Sequence, residues 1–252
     1  MPRVSVLMPV YNTHPEHLRE AMDSILAQTF TDFEFLILND CSTDSGVEEV
    51  VKSYHDPRII YAVNDHNLGI SGSRNRLIDM ARGEYLAVMD HDDFSFPDRL
   101  EKEAAFLDTH PDVGIVGSLV ESMANGEVKP RPADDVGIKK MLMIHCNLSH
   151  PSCMIRKSVL DEYGIRYEAL YSPAEDYALF ARLMPVTQFA ILQEPLFRYR
   201  SWGGIRPINS RRRWKPLRRA FMCSCATTTR KSGPWPRLIL WSVGGTAFSG
   251  YR

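Results

Sequence analysis

Four short apolar runs constrain this chain most: Val4–Met8, Phe33–Leu38, Ile59–Val63 and Leu86–Met89. Each has strand length and strand composition, and turn-forming residues bound it. Between the runs the period changes. Leu18, Met22, Ile25, Leu26 and Thr29 fall on one helical face, Val47, Val50, Val51 and Tyr54 on a second, and Leu77, Ile78 and Ala81 on a third. Strand, helix and strand at this spacing make a βαβ unit, hence parallel pairing and right-handed crossovers. The expected class is α/β, a mixed but mostly parallel sheet flanked by helices. Thr13 and Glu16 have capping-box spacing around Pro15, so the first helix starts there. Asn67–Gly72 reads as a glycine-bearing loop ahead of the third helix.

The polar clusters Tyr11-Asn12, Asn39-Asp40 and Asp90–Asp93 all close predicted strands. Ligands of open α/β sheets sit outside the carboxyl ends of the strands, so these clusters can share one crevice. The last cluster is electrostatically awkward. Two like charges about 4 Å apart repel by roughly 4 kcal/mol at an effective dielectric near 20. A cation removes that penalty, and oxygen-only ligands suit Mg²⁺ or Mn²⁺. Asp90 and Asp92, two apart on an extended segment, would point to the same side, with His91 pointing away. The alternative is a solvated acidic turn.

Beyond this point the alternation weakens. Pro97 opens a helix through Leu100, Ala104 and Leu107, and Val113–Val120 reads as a strand. Asn125-Gly126 reads as a turn, Pro130–Asp135 as a loop and Ser152–Ile155 as a strand. A helix starts near Ala174-Glu175-Asp176, with Tyr177, Phe180, Ala181 and Met184 on one face. This half is α+β elaboration on the same sheet. After Tyr199 periodicity is poor, so the expected organisation is one domain over residues 1–200 and a basic, irregular tail over 201–252.

Charge divides the chain in the same place. Of 30 Lys/Arg and 31 Asp/Glu, 13 basic and no acidic residues fall between Pro195 and Arg252. The tail thus suits an anionic partner. It can lie peripherally on an anionic membrane with Trp202, Trp214, Trp235 and Trp241 at the interface, bind an acidic polysaccharide, or remain poorly ordered. No recognised nucleic-acid module is visible, so nucleic acid is not an expected partner. Five scattered cysteines without a Cys-x-x-Cys pair indicate neither a disulfide framework nor a zinc site. With no signal-peptide pattern at the start and only Leu238–Val243 as an apolar run in the tail, a cytoplasmic protein is expected, peripheral at the inner face of the membrane if the tail binds lipid.

Val4–Asn12, Leu38–Asp44, Met89–Asp93 and Ala174–Arg182, in that order, resemble the motifs of the family-2 glycosyltransferases. These are inverting, nucleotide-sugar-dependent enzymes of the GT-A (Rossmann-like) fold, and the resemblance covers about Pro2 to Tyr199. It implies that Pro9, Tyr11 and Asn12 hold the nucleoside. Asp40 would accept from the uracil ring N–H, although this chain has Asn39-Asp40 where the family often has two acids. A helix cap or Asx-turn is the competing reading for Asp40 and Asp44. Asp92 would coordinate Mg²⁺ or Mn²⁺ directly, with Asp90 nearer the ribose or binding the metal through water. Asp176 would be the catalytic base, and Glu175 beside it could raise its pKa by like-charge repulsion. Both acids also suit a helix N-terminus. Arg74, of an Arg74-Asn75 pair, would meet a phosphate or be a solvated helix charge. His150 would stand on the acceptor side or be a hydrogen-bonded structural residue.

The resemblance has one departure: Ser210–Trp214 supplies Arg-Trp without the Gln of the processive members' Gln-x-x-Arg-Trp motif. The expected enzyme therefore adds one sugar from a nucleoside-diphosphate sugar, UDP-linked, to a sugar, lipid-linked or protein acceptor. The setting would be polysaccharide, lipopolysaccharide or glycoconjugate synthesis. A sugar-1-phosphate nucleotidyltransferase would want a Gly-x-Gly-Thr-x-x-x-Pro pattern after strand one, and Pro9–Pro15 contains no glycine. A phosphatase using Asp90 and Asp92 would want Thr or Val where Phe94 stands. A nucleotide-sugar-binding protein without turnover is the third rival.

Overall fold

The computed structural model describes residues 1–43 and 46–200. Asp44, read as a cap, and the basic stretch 201–252 with its tryptophans lie outside the described residues. The four apolar runs form β1 (Val4–Val10), β2 (Phe33–Asn39), β3 (Ile59–Val63) and β4 (Tyr85–Val88). Helices α1 (Pro15–Leu26), α2 (Gly46–Lys52) and α3 (Gly69–Met80) connect them. Then come β5 (Phe94–Ser95), α4 (Arg99–Thr109), β6 (Val113–Ser122), α5 (Asp135–Leu142), β7 (Met154–Arg156), α6 (Lys157–Glu162), α7 (Glu175–Leu183) and β8 (Gln188–Tyr199).

One eight-stranded sheet has the order β3-β2-β1-β4-β7-β6-β8-β5. The first four strands are mutually parallel, β7 is antiparallel to β4 and β6, β8 is parallel to β6, and β5 is antiparallel to β8. Period-2 alternation splits the strand side chains between two cores. Val4, Val6, Met8, Phe35 and Ile37 pack with α1, α2 and α4, while Leu7, Leu36, Leu38, Leu86 and Val88 pack with α3, α5, α6 and α7. Coverage of both faces explains why the parallel strands read as continuous apolar runs. Each such buried side chain contributes roughly 1.5–3 kcal/mol of transfer free energy. Gly83, just before β4, has to be glycine: a Cβ there would lie 2.6 Å from the Ser5 nitrogen.

Among the described residues, one ion pair has both side chains fully enclosed. Arg99 and Glu103 are both 0% exposed, with Arg99 Nε 3.1 Å from Glu103 Oε2. Arg99 Nη2 donates to the carbonyls of Val88 (3.0 Å) and Cys153 (3.3 Å), which fixes the end of β4 against the turn before β7. Burial pushes the Glu103 carboxyl up to about 7 despite the arginine beside it.

Several expectations need correction. No capping box forms at Thr13, because the helix starts one residue later: His14 is the N-cap, it makes no side-chain cap, and Pro15 takes the first helical position. Thr29 and Tyr54 lie beyond their helices, and the Tyr54 hydroxyl donates to Asp23 at 2.8 Å. The stretch Asn67–Gly72 is loop only to Leu68. Gly69, at φ +70°, turns the chain into α3, with its N–H held by Asn67 Oδ1 at 3.0 Å. Ser152 belongs to a 3-10 turn, His150–Ser152, rather than to β7. On α7, Leu179 and Leu183 are buried with Tyr177 and Phe180, whereas Ala181 and Met184 are only half-buried. Four elements were not foreseen: β5, α5, α6 and β8. Asp134, inside the stretch read as a loop, is the N-cap of α5 and accepts the Gly137 N–H at 2.9 Å.

Candidate active site

The carboxyl ends of β1 and β2 are tied together by the polar residues that close them. Pro9 is buried in β1 opposite Leu38, and Tyr11 beyond it is 44% exposed. Asn12, at φ 46°, donates its N–H to Ser42 Oγ (3.0 Å), and its Oδ1 accepts the Thr43 N–H (2.9 Å). Its side chain is therefore committed to the neighbouring loop. Asn39 accepts the Ser42 N–H at 2.9 Å and donates to the Tyr61 hydroxyl at 3.0 Å. The N–H of Asp40 extends the ladder to the Val10 carbonyl at 2.8 Å. The buried carboxylate accepts from Asn64 Nδ2 (2.6 Å) and the Leu68 N–H (2.8 Å). The helix-cap reading of Asp40 is thus corrected: it holds the β3–α3 loop from a different strand.

Asp90–Asp93 is a tight turn, with the Asp93 N–H 3.5 Å from the Asp90 carbonyl. The extended-strand alternation assumed for Asp90, His91 and Asp92 does not apply; His91 Nδ1 lies 4.0 Å from Asp92 Oδ1. Arg74 of α3 reaches this turn from below. Its Nη2 is 3.0 Å from Asp90 Oδ1, its Nη1 is 3.3 Å from Glu175 Oε1, and its guanidinium lies over the Tyr167 ring at 5.6 Å. At 7% exposure Arg74 is no solvated helix charge. One buried cation thereby joins the acidic turn to the start of α7. Asn75 beside it clamps Tyr167 in both directions, each bond 2.8 Å.

Asp93 is buried, and its Oδ1 accepts the Arg200 N–H at 2.8 Å. Burial, with Asp90 and Asp92 adding repulsion, pushes its carboxyl up to about 9. Arg200 Nε also donates to the Asp92 carbonyl at 2.8 Å, and Nη2 pairs with Glu20 of α1. Tyr199 stands within the field of Asp90, Asp92, Asp93 and Asp176; burial, then those charges, raises its phenol.

Asp176 sits in the first turn of α7 and is half-buried, its Oδ1 accepting the Tyr177 N–H at 2.6 Å. Its carboxyl is raised above the ordinary aspartate value, chiefly by burial and then by Glu175 and Asp90, against the opposing pull of the Tyr177 N–H and Arg74. Like-charge repulsion from Glu175 is therefore present but secondary to burial. Glu175 is buried, and its Oε2 has no hydrogen-bond partner. His150 is 4% exposed, with Nε2 2.6 Å from the Tyr167 hydroxyl. Burial and the nearby Arg74 hold its imidazole well below the usual range, so it is a neutral residue of the core supporting Tyr167 and not an open acceptor-side group.

Among the described residues no three His, Cys, Asp or Glu side chains converge on one metal position. Asp90 is engaged by Arg74 and Asp93 by the Arg200 N–H, and Asp92 brings a third carboxylate to the same turn. The donors are all oxygen, and a divalent cation that keeps waters and takes substrate oxygens needs only one or two such carboxylates. The residues present fit that kind of cation.

Sequence reasoning missed Tyr167, Tyr199 and Arg200. No motif marked them. The one available signal was the excess of carboxylates at Asp90–Asp93, which calls for basic partners from elsewhere in the chain.

The model of a family described as glycosyl transferase family 2 matches residues 5–164. An uncharacterized glycosyltransferase of Methanocaldococcus jannaschii, MJ1057, is 35% identical over 207 residues, covering 79% of this chain and 71% of that protein. S. aureus TarS 1–349, solved in complex with UDP-GlcNAc, superposes with a TM-score of 0.69 at 21% identity, over 80% of this chain and 59% of that one. The mannosyltransferase PcManGT of Pyrobaculum calidifontis, solved with GDP-Man and Mn²⁺, gives 0.60 at 18% identity, over 92% of this chain and 66% of that one. At these identities the two structures share the fold alone. That fold is the GT-A kind of mixed, mostly parallel sheet.

Proposed function

The chain belongs to glycosyl transferase family 2, and on that premise we propose that residues 1–200 transfer one sugar, with inversion, from a nucleoside-diphosphate sugar to an acceptor hydroxyl. The observation that carries this is the buried Arg74 joining Asp90 to Glu175. It brings the acidic turn and the α7 acids, expected to bind donor and to activate acceptor, into one place. We assign the donor as UDP-linked: Asp40 offers an acceptor-only carboxylate at the end of β2, suited to a ring N–H, and the exposed Tyr11 can cover a base. TarS, of the same fold, was solved with UDP-GlcNAc.

In this reading Asp92, helped by Asp90, holds Mg²⁺ or Mn²⁺ with the donor diphosphate. When bound, that cation supplies Lewis-acid neutralisation of the departing diphosphate, worth several kcal/mol in the transition state. Asp176 takes the proton of the attacking hydroxyl. Its burial suits this work, because a carboxyl raised toward neutrality is a stronger base than an ordinary aspartate. Glu175 and Arg74 fix the start of α7 and hence the direction of Asp176. The setting we propose is polysaccharide, lipopolysaccharide or glycoconjugate synthesis, at the inner face of a membrane if segment 201–252 binds anionic lipid. No helix among the described residues is long and apolar enough to cross a membrane.

Screening nucleotide sugars for Mn²⁺-dependent release of nucleoside diphosphate tests the reading. UDP release from one UDP-sugar, lost in Asp176→Asn, is the expected result. Binding of a nucleotide sugar without turnover under any metal and acceptor condition would leave a binding protein instead.

A further inference from the structure

Beyond the residues assigned to donor, metal and base, the acidic turn has a partner from the far edge of the sheet. Arg200 makes three contacts, two of them on the turn. The main-chain N–H donates to Asp93 Oδ1 at 2.8 Å, Nε donates to the Asp92 carbonyl at 2.8 Å, and Nη2 pairs with Glu20 of α1. The strand leading to Arg200 is itself fixed. Tyr199 pairs with Ser122 in the β6–β8 ladder, its carbonyl accepts the Met123 N–H at 3.0 Å, and Arg198 pairs with Phe94 of β5. Arg200 therefore reaches the turn from a rigid element.

Asp90, Asp92 and Asp93 place three carboxyl groups within four residues, and Arg74 pairs with the first of them. Asp93 is buried, and its Oδ2 has no hydrogen-bond partner, so the Arg200 N–H is what holds the other oxygen. The Nε bond orients the peptide that follows Asp92, which fixes the main chain from which the Asp92 carboxylate projects.

We propose that Arg200 is a positioning residue of the metal turn: by holding the Asp92 carbonyl and Asp93 from β8, and bracing itself on Glu20, it sets the affinity of the Asp92 carboxylate for a divalent cation and its diphosphate. This rests on the reading that Asp92 receives the cation. Partners of this kind, which orient a ligating carboxylate without touching the metal, typically govern about 10- to 100-fold in metal affinity.

The test is Mn²⁺ titration in the presence of UDP on the full chain, for wild type, Asp92→Ala, Arg200→Ala and Glu20→Gln, together with initial rates against Mn²⁺ concentration. Arg200→Ala keeps the main-chain N–H and loses both guanidinium contacts. Its Mn²⁺ dissociation constant is expected to rise about tenfold, with kcat at saturating metal within about threefold of wild type. A loss confined to general packing would lower the melting point and kcat together without singling out the metal. Glu20→Gln removes only the brace, outside the turn, and is expected to weaken Mn²⁺ about threefold; it keeps the test alive should Arg200→Ala fail to fold. Unchanged Mn²⁺ affinity in Arg200→Ala, or in Glu20→Gln where the alanine variant does not fold, overturns the positioning role while Asp92→Ala still loses binding. Equal Mn²⁺ binding by wild type and Asp92→Ala overturns the reading of the turn itself, and this inference with it.

Discussion

Arg74 and Glu175 stand 101 positions apart in the sequence and 3.3 Å apart in the fold, on the same buried guanidinium that holds Asp90 at 3.0 Å. Removing the cation would strip Asp90 and the buried Glu175 of their shared partner. Arg74→Ala is therefore expected to lose about 3–5 kcal/mol of stability, the range for breaking a buried ion pair from one side. Urea unfolding measures it, and a loss below about 1 kcal/mol would mean that Arg74 is not what holds these acids together.

Asp176 makes a kinetic prediction. Asp176→Asn is expected to lower kcat by about 10²- to 10⁴-fold, the usual worth of a positioned general base, with little change in affinity for the donor. In wild type the acid limb of the kcat/KM profile should lie above the ordinary aspartate range, because burial raises the Asp176 carboxyl. As pH falls through that raised value the base is protonated and activity is lost. Retained turnover in the variant would remove Asp176 from the chemistry.

Asp92 and Asp90 should differ. Asp92→Ala is expected to weaken Mn²⁺ binding in the presence of UDP by at least about tenfold, or about 1.4 kcal/mol. Asp90→Asn should reduce it less and destabilise the fold more, since Asp90 is paired with the buried Arg74. Parallel titrations and melting curves separate the two effects, and an equal metal defect in both would contradict the division of labour.

Glu103 gives a pH signature away from the site. Its carboxyl is raised from 4.5 to about 7, so between those values the folded protein holds a proton that the unfolded chain releases. Stability tied to that proton is fully present below pH 4.5 and is lost as pH rises through about 7, by an amount on the order of 1–3 kcal/mol. Glu103→Gln cannot ionise, so its stability should fall less steeply than wild type across the same window. Denaturant curves at pH 5 and pH 7.5 for both proteins measure the difference; parallel slopes would rule it out.

The first four strands were legible in the sequence because both faces of that half-sheet are covered, so burial and sequence pattern coincide. The motif acids were legible for a related reason: strand ends are where short polar clusters interrupt apolar runs. What the sequence did not reveal was who pairs with whom. Arg74 looked like any helix arginine until Asp90 and Glu175 closed on it, and nothing near Asp40 in the sequence marked Asn64 and Leu68 as the donors its carboxylate accepts from. The strand β8 was hidden by Gln193-Glu194-Pro195, which breaks its alternation where the β6–β8 register shifts between Ser118 and Leu119. His150 was ambiguous because a buried neutral imidazole and an exposed reactive one are the same letter.

The long strand β8 also has a consequence for the order in which the molecule assembles. The parallel block β1–β4 uses only the first 88 residues, whereas β5 and the Asp92–Asp93 main chain wait for partners near Phe197 and Arg200. Pairings so distant in sequence close late, and domains form as synthesis proceeds from the amino terminus. A nascent chain would thus hold this acidic turn through Arg74 but without its Arg200 contacts until about residue 200 has emerged. During that interval the turn is open to stray cations, and the latest strand to arrive is the one that gives it its final shape.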